Sequence, residues 1–259
     1  MQCPSVYLLA NSFIPFNRSG FKFNRSLHRK FYTGRIPANK RHGLHCFLFK
    51  QLLVGFMLGD GWLEKHGKGV RLAISLTEKF KDVAQFYLVL LYGLGYTNKF
   101  ELGLPLVRKN KTTKPYYQIK TFTFESLLPY FSLWYKQMGV RNIKQLPDKE
   151  QLYELLSPFT LAVWIMGDGS GMRDGGFKIA SHSFTKEQNM VLCNILAERY
   201  NIKTTLVNEK GLYHIYVWKR STHLLYVIVK PYLLPSCEYK FRFSLYLTYD
   251  AVDQLASKS

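Results

Sequence analysis

The sequence predicts an α+β protein made of two copies of one unit, each ordered α-β-β-α-β-β-α. Three observations carry this expectation. An apolar nonapeptide ending in Gly-Asp-Gly occurs twice, the strand-like and helix-like runs after each copy come in the same order, and each half closes on a lysine beside a proline-marked segment. Self-similarity is sought before anything else, because a missed duplication misassigns the whole fold.

The first nonapeptide is Leu53-Val54-Gly55-Phe56-Met57-Leu58-Gly59-Asp60-Gly61, and the second is Leu161-Ala162-Val163-Trp164-Ile165-Met166-Gly167-Asp168-Gly169. Both are apolar nearly all round, which marks buried helices. Apolar and polar residues then alternate over 71–76 and 177–181, the period of a half-buried strand. Helical patterns come next at 79–94 and 185–200, the second opening with Thr185-Lys186-Glu187-Gln188, which fits a capping box. Two further strands are expected in each half. In the first they are 98–106 and 116–123, joined by the basic loop Arg108-Lys109-Asn110-Lys111; in the second they are 203–207 and 212–218, joined by a turn at Lys210-Gly211. Helices at 125–137 and 219–229 close the halves, leading into the extended segments Lys144-Gln145-Leu146-Pro147 and Pro235-Ser236-Cys237-Glu238-Tyr239-Lys240. The expected organisation is a basic extension at 1–45, a first repeat at 46–147, a linker at 148–157, a second repeat at 158–247 and a tail at 248–259. Ser157 is the expected N-cap of the second motif helix, with Pro158 at its first position.

Composition bounds the partners. The 259 residues carry 36 Lys+Arg against 17 Asp+Glu, a net charge of +19, yet 47% are hydrophobic. Disorder requires low hydrophobicity as well as charge, so the excess charge belongs on a folded surface. Its natural partner is a nucleic-acid backbone, with an anionic membrane surface as the lesser alternative. No segment approaches the roughly 20 apolar residues of a membrane span. Cys3, Cys46, Cys193 and Cys237 form neither a disulfide framework nor a CxxC pair, which favours a reducing compartment. The seven histidines show no ligand spacing, which argues against a zinc site. Residues 1–45 hold eight Lys/Arg and no acid; this composition suits an organellar transit peptide, a nucleic-acid-binding arm or read-through from an upstream exon.

The chemistry lies in the two aspartates. A carboxylate at a helix C-terminus opposes the macrodipole, and two at matching positions call for a compensating cation. Mg²⁺ accepts carboxylates, water and phosphate oxygens, and the carbonyls of Gly59 and Gly167 lie at helix ends that leave them free. Small residues (Gly55 and Gly59, Ala162 and Gly167) allow the two helices to approach closely. The aspartates would then meet, repel and raise a pKa, and a pair of divalent ions relieving that repulsion suits in-line phosphodiester hydrolysis.

The two nonapeptides resemble the LAGLIDADG signature, and the chain resembles the single-chain, two-repeat LAGLIDADG homing endonucleases and intron maturases over residues 47–243. The likeness extends through residues 159–170, Ser183-Phe184-Thr185-Lys186-Glu187, and Val229-Lys230-Pro231-Tyr232-Leu233-Leu234-Pro235 with Tyr239-Lys240. It implies two αββαββα repeats whose antiparallel sheets form a saddle over the DNA major groove. It also implies that Asp60 and Asp168 bind catalytic Mg²⁺ or Mn²⁺, and that Lys144 and Lys240 are the basic residues that stabilise charge at the two phosphates. The inner acidic position of the signature is Leu58 in one motif and Met166 in the other, a position that varies in the family and is not the metal ligand.

Strand alternation offers the nucleic-acid contacts. Arg71 and Ser75, then Gln118 and Lys120, share polar faces in the first half; Lys178, His182 and His214 do so in the second. Such side chains can reach base edges, while Arg108 and Lys111 in the basic loop suit phosphates. The expected activity is site-specific double-strand cleavage by a monomer. An RNA-binding maturase assisting its host group I intron is the alternative, and an inactive DNA-binding relic a third reading. Genes of this kind sit in organellar introns, so a mitochondrion, or alternatively a plastid, is the expected location.

Overall fold

The protein is described by a computed structural model that covers residues 36–41, 43, 45–107 and 114–242. The centre is a pair of helices. Helix α1 (Phe47–Leu58) contains the first nonapeptide up to Leu58, and every residue from Leu48 to Leu58 except Lys50 is buried. Its counterpart, the fifth α-helix among the described residues (Pro158–Asp168), buries Phe159 to Met166 without interruption. Neither has a polar face because each is covered on all sides, by the other helix and by its own repeat's sheet. Ser157 caps the second of them as expected, accepting from the Thr160 N–H.

In the first repeat, β1 (Gly61–His66) begins directly after Asp60 and pairs antiparallel with β2 (Gly69–Thr77). The strand β3 (Tyr116–Lys120) pairs with the other side of β2, giving a three-stranded sheet β1-β2-β3. Leu72, Ile74, Leu76, Tyr117 and Ile119 face the core. Helix α2 (Lys81–Gly93) covers that face with Val83, Ala84, Tyr87, Leu88, Leu90 and Leu91.

Two segments of this half, and the linker after it, depart from the pattern read in the sequence. The strand expected at 98–106 forms only one bridge, Leu106 to Tyr116. Pro105 lacks an amide donor, and Leu104 is 91% exposed, so alternation there has no core to face. The helix expected at 125–137 is a 3₁₀ turn (Glu125–Leu127) continued by α3 (Leu128–Trp134). The chain then turns into a hairpin of β4 (Tyr135–Met138) and β5 (Arg141–Lys144). Trp134 is the last buried anchor of the helix, and Gly139 at φ 59° supplies the turn. The expected linker at 148–157 contains helix α4 (Lys149–Leu155), held by the fully buried Leu152 and Leu156.

The second repeat matches its prediction closely. After α5 (Pro158–Asp168) come β6 (Gly169–Gly171) and β7 (Phe177–Ala180). Helix α6 (Lys186–Tyr200) is next, with a complete capping box between Thr185 and Gln188. Strands β8 (Thr204–Glu209) and β9 (Leu212–Val217) meet at Lys210 and Gly211, both at positive φ, as a tight two-residue hairpin turn requires. The sheet order is β6-β7-β9-β8, all antiparallel. Helix α7 (Lys219–Val229) matches the expected span. The segment expected to be extended at 235–240 is instead a 3₁₀ helix (Pro235–Phe241). Pro235 starts it, and Cys237, Lys240 and Phe241 turn inward together.

One core runs through both halves. Part of the basic extension belongs to this body: Arg41 donates to the Thr123 carbonyl at 3.0 Å and lies 4.6 Å from the Phe122 ring centre.

Candidate functional site

The two central helices approach through glycines. A methyl added to Gly55 would lie 2.7 Å from Val163 Cβ and 3.0 Å from the Thr160 carbonyl, closer than such atoms approach. Thr160 Oγ1 donates across the pair to the Gln51 carbonyl at 3.3 Å, and Tyr87 Oη donates to the Val163 carbonyl at 3.3 Å. At the C-terminal ends the close approach brings each aspartate over the other helix's glycine. A Cβ on Gly59 would meet Asp168 Oδ2 at 2.7 Å, and one on Gly167 would meet Asp60 Oδ2 at 3.4 Å. Asp60 and Asp168, 108 residues apart in sequence, thus converge on one point.

Their electrostatics arise from that convergence. Burial is the main influence on the Asp168 carboxyl, with Asp60 adding to it, and together they push its pKa up to about 7 against the pull of Lys144 and Lys240. Asp60 retains an exposed flank, yet desolvation of its carboxyl still raises its pKa, again opposed by the two lysines. The carboxylates therefore sit where negative charge is costly and only partly offset.

Both sequence-predicted lysines reach this centre. Lys144, at the end of β5, donates to the carbonyls of Gly59 at 3.2 Å and Gly61 at 3.0 Å. Burial brings its pKa down to about 8, with Asp168 and Asp60 pulling upward. Lys240 is only 4% exposed and donates to the carbonyls of Ile165, Met166 and Gly167 at 3.0, 2.8 and 3.3 Å. Its pKa is also lowered, chiefly by burial. An ammonium has three donors, so Lys240 commits all of them to the end of α5, while Lys144 commits two. Each lysine also lies over an aromatic ring from the opposite repeat: Lys144 is 5.9 Å from Phe184, and Lys240 is 5.5 Å from Phe80. Both distances are within cation–π range. Neither ring is marked by sequence periodicity.

The donor set fits a hard divalent cation. Two carboxylates at partly uncompensated charge, with backbone carbonyls beside them, are oxygen ligands of the kind Mg²⁺ or Mn²⁺ takes. The Gly59 and Gly167 carbonyls already accept from the lysines and have a second lone pair each.

The polar faces of the two sheets carry the other expected residues. On the first, Arg71 Nε and Lys120 Nζ both reach Glu64 Oε2, at 2.7 and 3.3 Å. Gln118 Nε2 lies 3.5 Å from Ser75 Oγ, its cross-strand partner. On the second, Lys178 Nζ binds Glu209 Oε2 at 3.0 Å. His214, opposite Ala180 in the register, is buried with its Nδ1 3.8 Å from Glu209 Oε2, and His182 stands exposed with its ring centre 5.9 Å from that of His214. Burial, with Lys178 and His182 nearby, lowers the His214 pKa against the pull of Glu209. Arg108 and Lys111 lie outside the described residues. Sequence reading misses Glu64 and Glu209, the acids that orient these cations; strand alternation marks a polar face but not which charges meet across it.

A central helix pair ending in two converged carboxylates, flanked by two antiparallel sheets with cationic polar faces, defines the class as a single-chain duplicated LAGLIDADG fold. The model of the LAGLIDADG DNA endonuclease family matches residues 50–225, and the chain belongs to that family. It is 32% identical over 253 residues to the cytochrome b mRNA maturase bI2 of Saccharomyces cerevisiae, covering 93% of this chain and 57% of that protein. The chain therefore spans little more than half the length of that relative. It is 34% identical over 126 residues to the intron-encoded endonuclease ai4 of Dictyostelium discoideum, covering 48% of this chain and 76% of the other. Among solved structures, it shares its fold with the homing endonuclease I-WcaI bound to its DNA recognition sequence: TM-score 0.63 at 20% identity, covering 79% of this chain and 90% of that one.

Proposed function

We propose that this chain is a site-specific, divalent-metal-dependent DNA endonuclease that makes a double-strand break, acts as a monomer and works in intron homing in a mitochondrion. The observation that carries the reading is the convergence of Asp60 and Asp168 at the touching ends of the two buried helices. Such a pair is costly without a compensating cation, because burial raises both pKa values and Asp60 raises that of Asp168 further. Both motifs lie in one chain, so a monomer already holds the full pair.

Asp60 and Asp168 would hold Mg²⁺ or Mn²⁺, with the Gly59 and Gly167 carbonyls beside them. Ions bound there supply water activation and stabilisation of the leaving oxygen in hydrolysis. Lys144 keeps one donor beyond its two carbonyl bonds and serves the scissile phosphate directly. Lys240 holds the end of α5, and so the turn that carries Asp168, while its charge adds to the local field. Arg71, Ser75, Gln118, Lys120, Lys178 and His182 form the faces laid along the duplex, with His214 buried behind them rather than in contact, and Arg108 and Lys111 contact its phosphates.

The test is incubation of purified protein and Mg²⁺ with DNA carrying the intronless host sequence, beside an Asp60→Asn/Asp168→Asn control. Linearisation by the wild type alone is expected. The second reading, an RNA-binding maturase for the host intron, draws on the likeness to a cytochrome b mRNA maturase over 93% of this chain. Faster splicing of the intron without any DNA break would establish it and remove the first.

A further inference from the structure

A second cluster of ligating side chains lies away from the paired aspartates, on the polar face of the sheet formed by β6 to β9. A ring nitrogen of His182, a ring nitrogen of His214 and a carboxylate oxygen of Glu209 lie within 4.8 Å of one another. They come from three places in the chain: the turn after β7, the end of β8 and the start of β9. His214 is 7% exposed, and its Nδ1 is buried without a hydrogen-bond partner, 3.8 Å from Glu209 Oε2. A buried ring nitrogen without a partner is rare, because its desolvation goes uncompensated. Here that nitrogen faces a carboxylate and a second imidazole, the surroundings of a metal ligand.

We propose that His182, Glu209 and His214 form a binding site for a divalent transition metal of the Zn²⁺ type, distinct from the oxygen-liganded centre at the aspartates. Two imidazoles and one carboxylate suit Zn²⁺ and discriminate against Mg²⁺, which takes oxygen. Tetrahedral Zn²⁺ with bonds of about 2.0–2.1 Å needs its ligand atoms roughly 3.3 Å apart. Closing the cluster from within 4.8 Å to that spacing would take rotation of His182 and Glu209, whose side chains are exposed, around the buried His214. Three protein ligands leave one position for water or another oxygen donor. Lys178 Nζ, 3.0 Å from Glu209 Oε2, is the competing cation, and a dication would take its place or share the carboxylate. The sequence spacing hides the site, since 32 residues separate the two histidines and only strand pairing brings them together.

The test uses the full chain freed of metal by chelation and titrated with Co²⁺, then with Zn²⁺ in competition, monitored by visible absorption and calorimetry. The result expected is one equivalent bound with a tetrahedral Co²⁺ spectrum, displaced by Zn²⁺ and unmoved by excess Mg²⁺. Affinity should fall by more than about tenfold in His182→Ala and Glu209→Gln, since losing a direct ligand exceeds losing its outer-sphere support. Both substitutions are at exposed side chains, which keeps the test independent of folding; His214→Ala is the third variant. Binding should persist in Asp60→Asn/Asp168→Asn. No Co²⁺ or Zn²⁺ binding, binding that survives the His182 and Glu209 substitutions, or binding lost with the aspartates would each overturn the proposal.

Discussion

The two repeats present the same chemistry on unequal supports. The second has a four-stranded sheet, a complete capping box and a tight β8–β9 hairpin, and its lysine is buried with three carbonyl acceptors. The first has, among the described residues, a three-stranded sheet, an irregular run bridged only at Leu106, and a lysine delivered by a separate surface hairpin to two carbonyls. Both share the glycine-bearing helix and its terminal aspartate. The difference teaches that the convergence of the two aspartates depends on the helix pair, and that each sheet is free to vary around it. It also separates two roles for a lysine: fixing a helix end, and offering a spare donor.

The largest test of this symmetry is at the aspartates. Asp60→Asn and Asp168→Asn are each expected to lower double-strand cleavage by about 10³-fold or more, about 4 kcal/mol of barrier. Supercoiled-plasmid assays resolve nicked from linear product, and a single substitution that left linearisation intact would break the equivalence of the repeats. The lysines should differ in kind. Lys240→Met leaves three carbonyls without their charged donor and should lower stability by about 2–4 kcal/mol, read by urea unfolding. Lys144→Met should cost under about 1.5 kcal/mol of stability while slowing single-turnover cleavage about 10²-fold. Gly55→Ala forces a methyl into Val163 and should destabilise by about 1–3 kcal/mol, whereas Gly167→Ala, with 3.4 Å to Asp60 Oδ2, should be milder in the same assay.

The pH dependence is a fourth expectation. The Asp168 pKa rises from 3.8 to about 7 on folding, so the native state binds more protons than the unfolded state between those values. Stability then falls as pH rises from about 4 to about 7. Lys144, lowered from 10.5 to about 8, gives the opposite slope between about 8 and 10.5. Melting curves in chelator should show the first slope in wild type and a smaller one in Asp168→Asn, where only Asp60 keeps a raised pKa. Mg²⁺ should flatten it, since a bound cation favours the ionised carboxylates. The smallest effects belong to the sheet faces. Arg71→Ala and Lys178→Ala should each weaken DNA binding and reduce its salt slope by about one, and equal losses would extend the symmetry to the two faces.

Legibility tracks the range of the interaction. Helix α7, the capping box at Thr185 and the turn at Lys210-Gly211 all match the sequence pattern, because caps, turns and periodicity act within a few residues. The run at 98–106 alternates like a strand, yet lacks a surface to cover. The hairpin after Trp134 is hidden because helical periodicity continues past the last buried anchor. The 3₁₀ helix at Pro235 reads as extended because proline marks a break without specifying the conformation after it.

By itself the sequence determined the duplication, the two buried helices and the aspartates that end them, since an apolar helix closing on Gly-Asp-Gly is a local pattern and its recurrence is countable. Only the tertiary structure decided how the lysine donors are committed, which rings from the opposite repeat they cover and that His182, Glu209 and His214 form a cluster. The physical reason is that hydrogen bonds, cation–π contacts and ligand clusters depend on distances across strands and between repeats, and residue spacing along the chain does not encode those distances.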